Sequence, residues 1–476
     1  MGGGFDHRIL PGLERAMLAR DSWPRDEVTR HRFGPLPGPI APPVGPSSPG
    51  GRSLDSRDSF TRRFQEISVM PSSLDQLDLT NPDLYRQGFP HEVFKQLRDE
   101  APVWRHPETA DFSDAGGESF TVLSRYEHIQ AANRDPETFL SAKGPGLGYE
   151  GTGLMLTDMD GASHLRQRKL ISSGFTPRMT RRLEGLAREW AVKIVDSAIE
   201  KETVEFVQEV AYQLPMHMIA DILGIPLEER DWLFKTTNDM LLCVDPEYPV
   251  SESEREGLAQ SVFGYGHEIL GRKRESSTDD VLSLLATVSD DQGPLNDLEL
   301  DAFFMLLTVA GSETTRNAIS SGLQKLMAEP AQLAELREDP TLLKSATEEI
   351  IRWTSPVAYF KRIVARDTEI GGVALSEGER VSLWYPSANR DERAFDDPMR
   401  FDIHRKKNEH VAFGGGGPHF CLGAHLARRE IMILFEELLS RTESIELVGD
   451  PTWSVLGIGN PILLSLGKLP VRLKGA

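Results

Sequence analysis

The stretch that most limits the fold runs from residue 296 to residue 329. Asn296 followed three residues later by Glu299 is a capping-box pattern, and Pro330 stops the run, so it reads as one helix. At the α-helical rise it would be roughly 50 Å long, enough to cross a large domain. Its first half, LDAFFMLLTVAG, is apolar on nearly every face, the pattern of a helix enclosed by the rest of the protein. In its middle the sequence turns polar, at Gly311, Ser312, Glu313, Thr314 and Thr315. A glycine and hydroxyls that compete for backbone carbonyls predict a local bulge or kink there. Two readings fit the acid and the alcohol: the helix emerges into solvent at Glu313, or Glu313 and Thr314 handle protons in a groove beside a cofactor.

The other long periodic segments are helical as well. RRLEGLAREWAVKIVDSAIE, QLPMHMIADILG, AQLAELRED and AHLARREIMILFEELLSR fit period 3.6 far better than period 2, as does PHEVFKQLRDE before Pro102. Strand signals are short: SFTVLSR, then RIVARDTEIGGVALSEGERVSLWY as strand, turn, strand. A mainly α chain with small β-sheets follows. Residues 1–74 read as a disordered tail rich in glycine, proline and serine, with seven prolines in PLPGPIAPPVGPSSP, and RILPGLERAMLAR as one short amphipathic helix. Residues 75–476 form the folded domain.

The net charge of −20 argues against nucleic-acid binding, which requires a basic surface. No run of about 18 apolar residues is available to span a membrane, and no secretory signal opens the chain, so the cytoplasm is the expected location. Two cysteines, Cys243 and Cys421, exclude a disulfide scaffold. Cys243, in MLLCVD, reads as a buried small hydrophobe.

Cys421 stands in FGGGGPHFCLG, after four glycines and just before the helical segment that starts at Ala424. Glycines allow a backbone to approach a flat, bulky object, and a helix N-terminus favours thiolate over thiol. A thiolate on such a loop suits a metal held in a planar cofactor. A catalytic nucleophile is the rival, although no histidine partner signature accompanies it, and His419 is better placed for a cofactor edge.

Three motifs in order, AGSETT at 310–315, EEIIR at 348–352 and GPHFCLG at 417–423, resemble the cytochrome P-450 family of haem-thiolate monooxygenases over residues 75–476. The resemblance implies a triangular helical fold with a long central helix, and haem between that helix and the one following the cysteine loop. It makes Cys421 the iron ligand, Gly417 and Gly423 close-approach glycines, Phe413 a haem-packing aromatic, and His419, Arg362, His164 and Arg168 propionate contacts. Glu349 and Arg352 match a structural ion pair completed by Arg400, and Glu313 and Thr314 match the acid and alcohol that deliver protons to dioxygen. One departure stands out: the loop carries one residue more than the family's commonest pattern, with Gly414 where the aromatic would be and Phe413 one position further back.

The implied cofactor is haem b, with dioxygen as co-substrate and electrons from NAD(P)H through a redox partner, because the chain carries neither a nucleotide fingerprint nor a four-cysteine cluster pattern. Arg405, Lys406 and Lys407 before the cysteine loop and Arg428 and Arg429 after it are the expected docking surface for an acidic ferredoxin. Leu306, Leu307, Ala310, Val357, Ala358, Tyr359 and Phe360 form the expected apolar substrate wall. Overall phrasing is similar to bacterial members that hydroxylate sterol side chains and methyl-branched lipids; terpenoids and other secondary-metabolite intermediates are the alternative. The chain is expected to act as a monomer. From another class, a non-catalytic haem sensor or carrier stays open, as does a peroxide-using enzyme.

Overall fold

Asn296 caps a single α-helix, Asp297–Ala328, through reciprocal bonds with Glu299, and the chain breaks at Glu329 ahead of Pro330. The polar segment at its middle does not interrupt it. The hydroxyls of Thr308, Ser312 and Thr314 each donate to the carbonyl four residues back, at 2.8, 2.9 and 2.9 Å. A carbonyl has two lone pairs, so these bonds coexist with the helical ladder instead of displacing it, and the α-helix continues through the polar segment.

The computed structural model describes residues 74–107, 119–147, 151–242, 252–456 and 463–476. The readings of residues 1–73 and of Cys243 lie outside them. From Asp78 onward the described residues belong to one compact unit. Helices dominate it, among them His91–Glu100, Gly161–Ser173, Pro177–Lys201, Gln213–Leu223, Pro330–Glu338, Leu343–Thr354 and Ala424–Arg441. The central helix packs against Gln213–Leu223, Glu252–Glu275, Leu343–Thr354 and Ala424–Arg441, which explains its apolar faces.

The largest sheet has five strands in the spatial order Val103–His106, Phe120–Leu123, Arg380–Trp384, Tyr359–Val364 and Phe139–Leu140. Only the second and third run parallel. The small hairpin Thr368–Ile370 with Val373–Leu375 turns on Gly371 and Gly372, both at positive φ, as a tight two-residue turn requires. In Tyr359–Val364 the alternation of side chains sends Phe360 and Arg362 to a cavity between the central helix and the cysteine loop, and Tyr359 to the opposite face against Trp384.

A fully buried carboxylate fixes the segment leading to the cysteine loop. Glu349 accepts from Arg352 at 2.7 and 2.8 Å, from Arg405 Nε at 3.0 Å, from the Asp402 N–H at 2.9 Å and from Asn408 at 3.1 Å. Arg352 in turn donates to the carbonyls of Asn389, Pro398 and Arg400. The expected third member, Arg400, supplies only its carbonyl; its side chain is exposed, and Arg405 takes the place in the ion pair. The reason is geometric: five residues further on, Arg405 folds back and caps the carbonyls of Asp396, Asp397 and Arg400 as it meets Glu349.

Removing one partner of a buried charge costs about 3–5 kcal/mol, whereas an exposed substitution stays within about 0.5 kcal/mol. Arg405→Leu is therefore expected to lower the urea-unfolding free energy by about 3 kcal/mol and Arg400→Leu to leave it nearly unchanged. Equal losses would refute the assignment.

Candidate functional site

The glycine loop is shaped by positive φ at Gly414, Gly415, Gly416 and Gly417. At Gly417 a Cβ would stand 2.0 Å from the Asn133 carbonyl oxygen, so only glycine fits. The loop closes where the Cys421 N–H donates to the Phe413 carbonyl at 3.0 Å, and the helix Ala424–Arg441 starts three residues later. Despite the extra glycine, Phe413 lines the cavity, with the Arg428 guanidinium 4.4 Å from its ring centre.

Cys421 is exposed on the cavity wall. Burial of its surroundings pushes the thiol up, while the N–H groups of Gly423 and Ala424 and the charges of Arg168 and Arg428 pull it down. Burial wins, so the helix terminus alone does not yield the thiolate expected from the sequence. A metal cation bound to the sulfur would supply the missing stabilisation and release the proton.

The cavity measures about 270 Å³. Opposite Cys421 the central helix offers Leu306, Leu307, Ala310 and Thr314, and the segment after the helix Leu343–Thr354 offers Val357 and Phe360. Ala358 and Tyr359, expected on this wall, do not line it. Tyr359 is fully buried behind the strand, where its hydroxyl accepts from the Leu147 N–H at 3.3 Å.

At one edge the apolar lining gives way to cations. Arg168 and Arg362 line the cavity, and neither pairs with a carboxylate among the described residues. Burial lowers both, and Arg362 is nearly inaccessible. His419 also lines the cavity, and His164 stacks on it at 4.1 Å between ring centres. Burial, then His419 and Arg168, depress His164 to about 4, so it is neutral at physiological pH, and its Nε2 has no hydrogen-bond partner among the described residues. Gly423 lines the cavity whereas Gly417 does not.

Glu313 departs from expectation. It is fully buried, not on the cavity wall, with Arg316 Nη2 at 2.6 Å from its carboxylate. Burial raises it, and Arg316 opposes the rise. Adjacent residues on a helix point about 100° apart, which separates it from Thr314. Arg316 itself was missed; its spacing of three from Glu313 was the available signal.

The expected basic surface is also smaller than its sequence. Lys406 and Lys407 are exposed, but Arg405 serves Glu349, Arg428 pairs with Glu348 at 2.7 Å and Arg429 with Glu184 at 2.9 Å.

Comparison with known proteins bears on the family. The family model described as cytochrome P-450 matches residues 250–451. Cytochrome P-450 126 of Mycobacterium tuberculosis is 41% identical over 80% of this chain and 95% of its own length. The steroid C26-monooxygenase of Rhodococcus jostii is 35% identical, covering 81% of this chain and 83% of that protein. The methyl-branched lipid omega-hydroxylase of Mycobacterium tuberculosis is 37% identical, covering 81% of this chain and 92% of that protein. Among solved structures, a Mycobacterium marinum cytochrome P-450 in complex with pseudoionone superposes with a TM-score of 0.77 at 34% identity, covering 85% of this chain and all of the other. With its mainly helical fold, its cysteine on a glycine loop and relatives matched along nearly their whole length, this chain belongs to the cytochrome P-450 monooxygenase family.

Proposed function

We propose that this enzyme inserts one oxygen atom of dioxygen into an unactivated C–H bond of a sterol or methyl-branched lipid side chain. The family uses haem and dioxygen, with electrons from a redox partner, on hydrophobic substrates. The observation that carries the reading is the cavity itself: a thiol on one wall, apolar side chains on the other, and at one edge two guanidinium groups with no carboxylate partner among the described residues.

That donor set fits haem. Cys421 Sγ would hold the iron, the apolar walls would enclose the macrocycle, and Arg168, Arg362, His419 and His164 would meet its carboxylates, which need buried cationic or N–H donors. When bound, haem supplies the activation of dioxygen and the oxidation of the C–H bond.

The chain's own residues bind and position. Leu306, Leu307, Ala310, Val357 and Phe360 exclude water and orient an apolar substrate. The Thr314 hydroxyl lines the cavity and holds its proton toward Ala310 O, and we assign it to proton delivery. Glu313 backs the same helix turn from the other side, held by Arg316. Lys406 and Lys407 form the exposed remnant of the proximal basic surface, and we assign them to docking of an acidic ferredoxin. The sterol and branched-lipid assignment draws on the named activities of the two hydroxylase relatives.

Cys421→Ser is expected to abolish the carbon monoxide absorption band of a sulfur-ligated haem while leaving the fold intact by circular dichroism; an unchanged band would remove Cys421 from the metal. Reconstituted with a ferredoxin, its reductase and NADPH, the enzyme should hydroxylate a sterol or a methyl-branched fatty acid at a rate that falls with ionic strength. A pigment that binds neither substrate class and forms no product would leave a haem carrier instead. Thr314→Ala is expected to keep the spectrum and the substrate affinity but divert reducing equivalents to hydrogen peroxide, with product per NADPH falling on the order of tenfold or more. Tight coupling in that variant would refute the role.

A further inference from the structure

Among the described residues three that are not glycine have positive φ, and of these only Ser355, at 39°, is buried. It ends the helix Leu343–Thr354 in left-handed backbone directly before Pro356, where a residue ordinarily takes extended backbone. Such a conformation persists only where the surroundings over-determine it. Here they do: the Ser355 N–H donates to the Ile351 carbonyl at 3.0 Å, and its hydroxyl donates to the Arg352 carbonyl at 2.8 Å and accepts from Asn389 Nδ2 at 2.8 Å. Pro356 and Val357, the next two residues, line the cavity.

Asn389 is fully buried and bonded in four directions. Its N–H donates to the Tyr385 carbonyl at 2.9 Å, and its carbonyl accepts from Arg352 Nη1 at 2.7 Å. Its side-chain oxygen accepts the Val411 N–H at 2.8 Å, and its side-chain nitrogen serves Ser355. A backbone N–H only donates, so the Val411 contact fixes which end of the amide is oxygen and turns the nitrogen to Ser355. The donors thus run in one sense, from Val411 through Asn389 and Ser355 to the Arg352 carbonyl, and bonds aligned in this way strengthen one another. Two residues past Val411 stands Phe413, whose carbonyl accepts the Cys421 N–H.

We propose that Asn389, through the Ser355 hydroxyl, is a positioning residue of the reaction, setting the apolar wall at Pro356 and Val357 against the loop that presents Cys421. Neither Asn389 nor Ser355 lines the cavity, so both act through their neighbours. Glu349 holds the segment 402–408 on the proximal side only, whereas this amide reaches both sides. A serine present for its backbone alone would be bettered by glycine, which takes positive φ without strain; the hydroxyl is what glycine lacks. The inference rests on the monooxygenase reading in one respect, that Cys421 holds the haem iron.

The test compares Ser355→Gly, Asn389→Leu and the double variant in the full-length haem-loaded protein. Amide hydrogen exchange over residues 409–413 should quicken roughly fivefold in Ser355→Gly, the effect of about one lost hydrogen bond, although the substitution lies outside that segment. Asn389→Leu should quicken exchange over both 409–413 and 355–360. It should also shift the iron–sulfur stretching band in resonance Raman spectra and weaken 4-phenylimidazole, which meets iron and apolar wall together, roughly fivefold. The double variant should exceed Asn389→Leu in none of these, because both changes break the same chain of bonds. Wild-type exchange over 409–413 in Ser355→Gly, additive effects in the double variant, or an unmoved iron–sulfur band in Asn389→Leu would each overturn the proposal. If Asn389→Leu fails to fold, Ser355→Gly decides alone, since glycine suits that backbone. Absence of a sulfur-ligated haem spectrum in the wild type would instead defeat the functional reading, and the exchange measurements, which do not involve the iron, would still decide whether wall and loop are tied.

Discussion

A carboxylate with no access to water holds the proximal side of this enzyme together. Glu349 sits where desolvation would expel a lone charge, and it stays because Arg352, Arg405, Asn408 and a backbone N–H surround it. The consequence is mechanical. Those donors come from a helix and from the segment 402–408, so satisfying one carboxylate fixes the chain that runs into the glycine loop. Asn389 adds a second tie: its side-chain oxygen accepts the Val411 N–H at 2.8 Å, two residues before Phe413. A loop of consecutive glycines has much backbone entropy to lose, and it can present one sulfur in one place only if both of its ends are held.

From there the cavity follows. The cysteine side is set by the loop and the helix it starts, and the opposite side by the central helix, whose hydroxyls bond to their own turn and so stay within the helical outline. The strand Tyr359–Val364 closes the third side, and its two-residue period places an aromatic ring and a guanidinium on the cavity face in alternation with Tyr359 on the other. Apolar walls with cations gathered at one edge define an orientation for any flat, amphipathic dianion that enters.

How much of this the sequence shows depends on the range of each interaction. Asn296 with Glu299 and Glu349 with Arg352 are local, three residues apart on a helix, and both partners are visible in a short window. Arg405 is not: it and Arg400 lie on the same charged stretch, and only the path of the chain decides which side chain turns inward. The same limit explains Arg428 and Arg429. In sequence they are a basic cluster beside the cysteine, but Glu348 and Glu184, brought in from distant helices, take both out of the free surface. Glu313 was visible as an acid in mid-helix, facing either solvent or a groove; its burial and direction follow from helix geometry and from Arg316 one turn on.

Glu430 is the extreme case, because what sets its state is an absence. The run ARRE places it directly after two arginines, and from spacing alone a surface ion pair is the ordinary reading. In the folded chain those arginines point to partners on other helices, and the acid between the core and the cavity keeps none of them. A carboxyl in that position either destabilises the protein by ionising or stays neutral, and burial decides for the neutral form. Cys421 shows the same physics on the opposite kind of group. There, too, burial outweighs the nearby N–H donors and cations, and the charged form waits for a ligand that brings its own positive charge. The proximal wall thus carries two acids that the fold alone keeps protonated, and one of them would be ionised by the metal it holds.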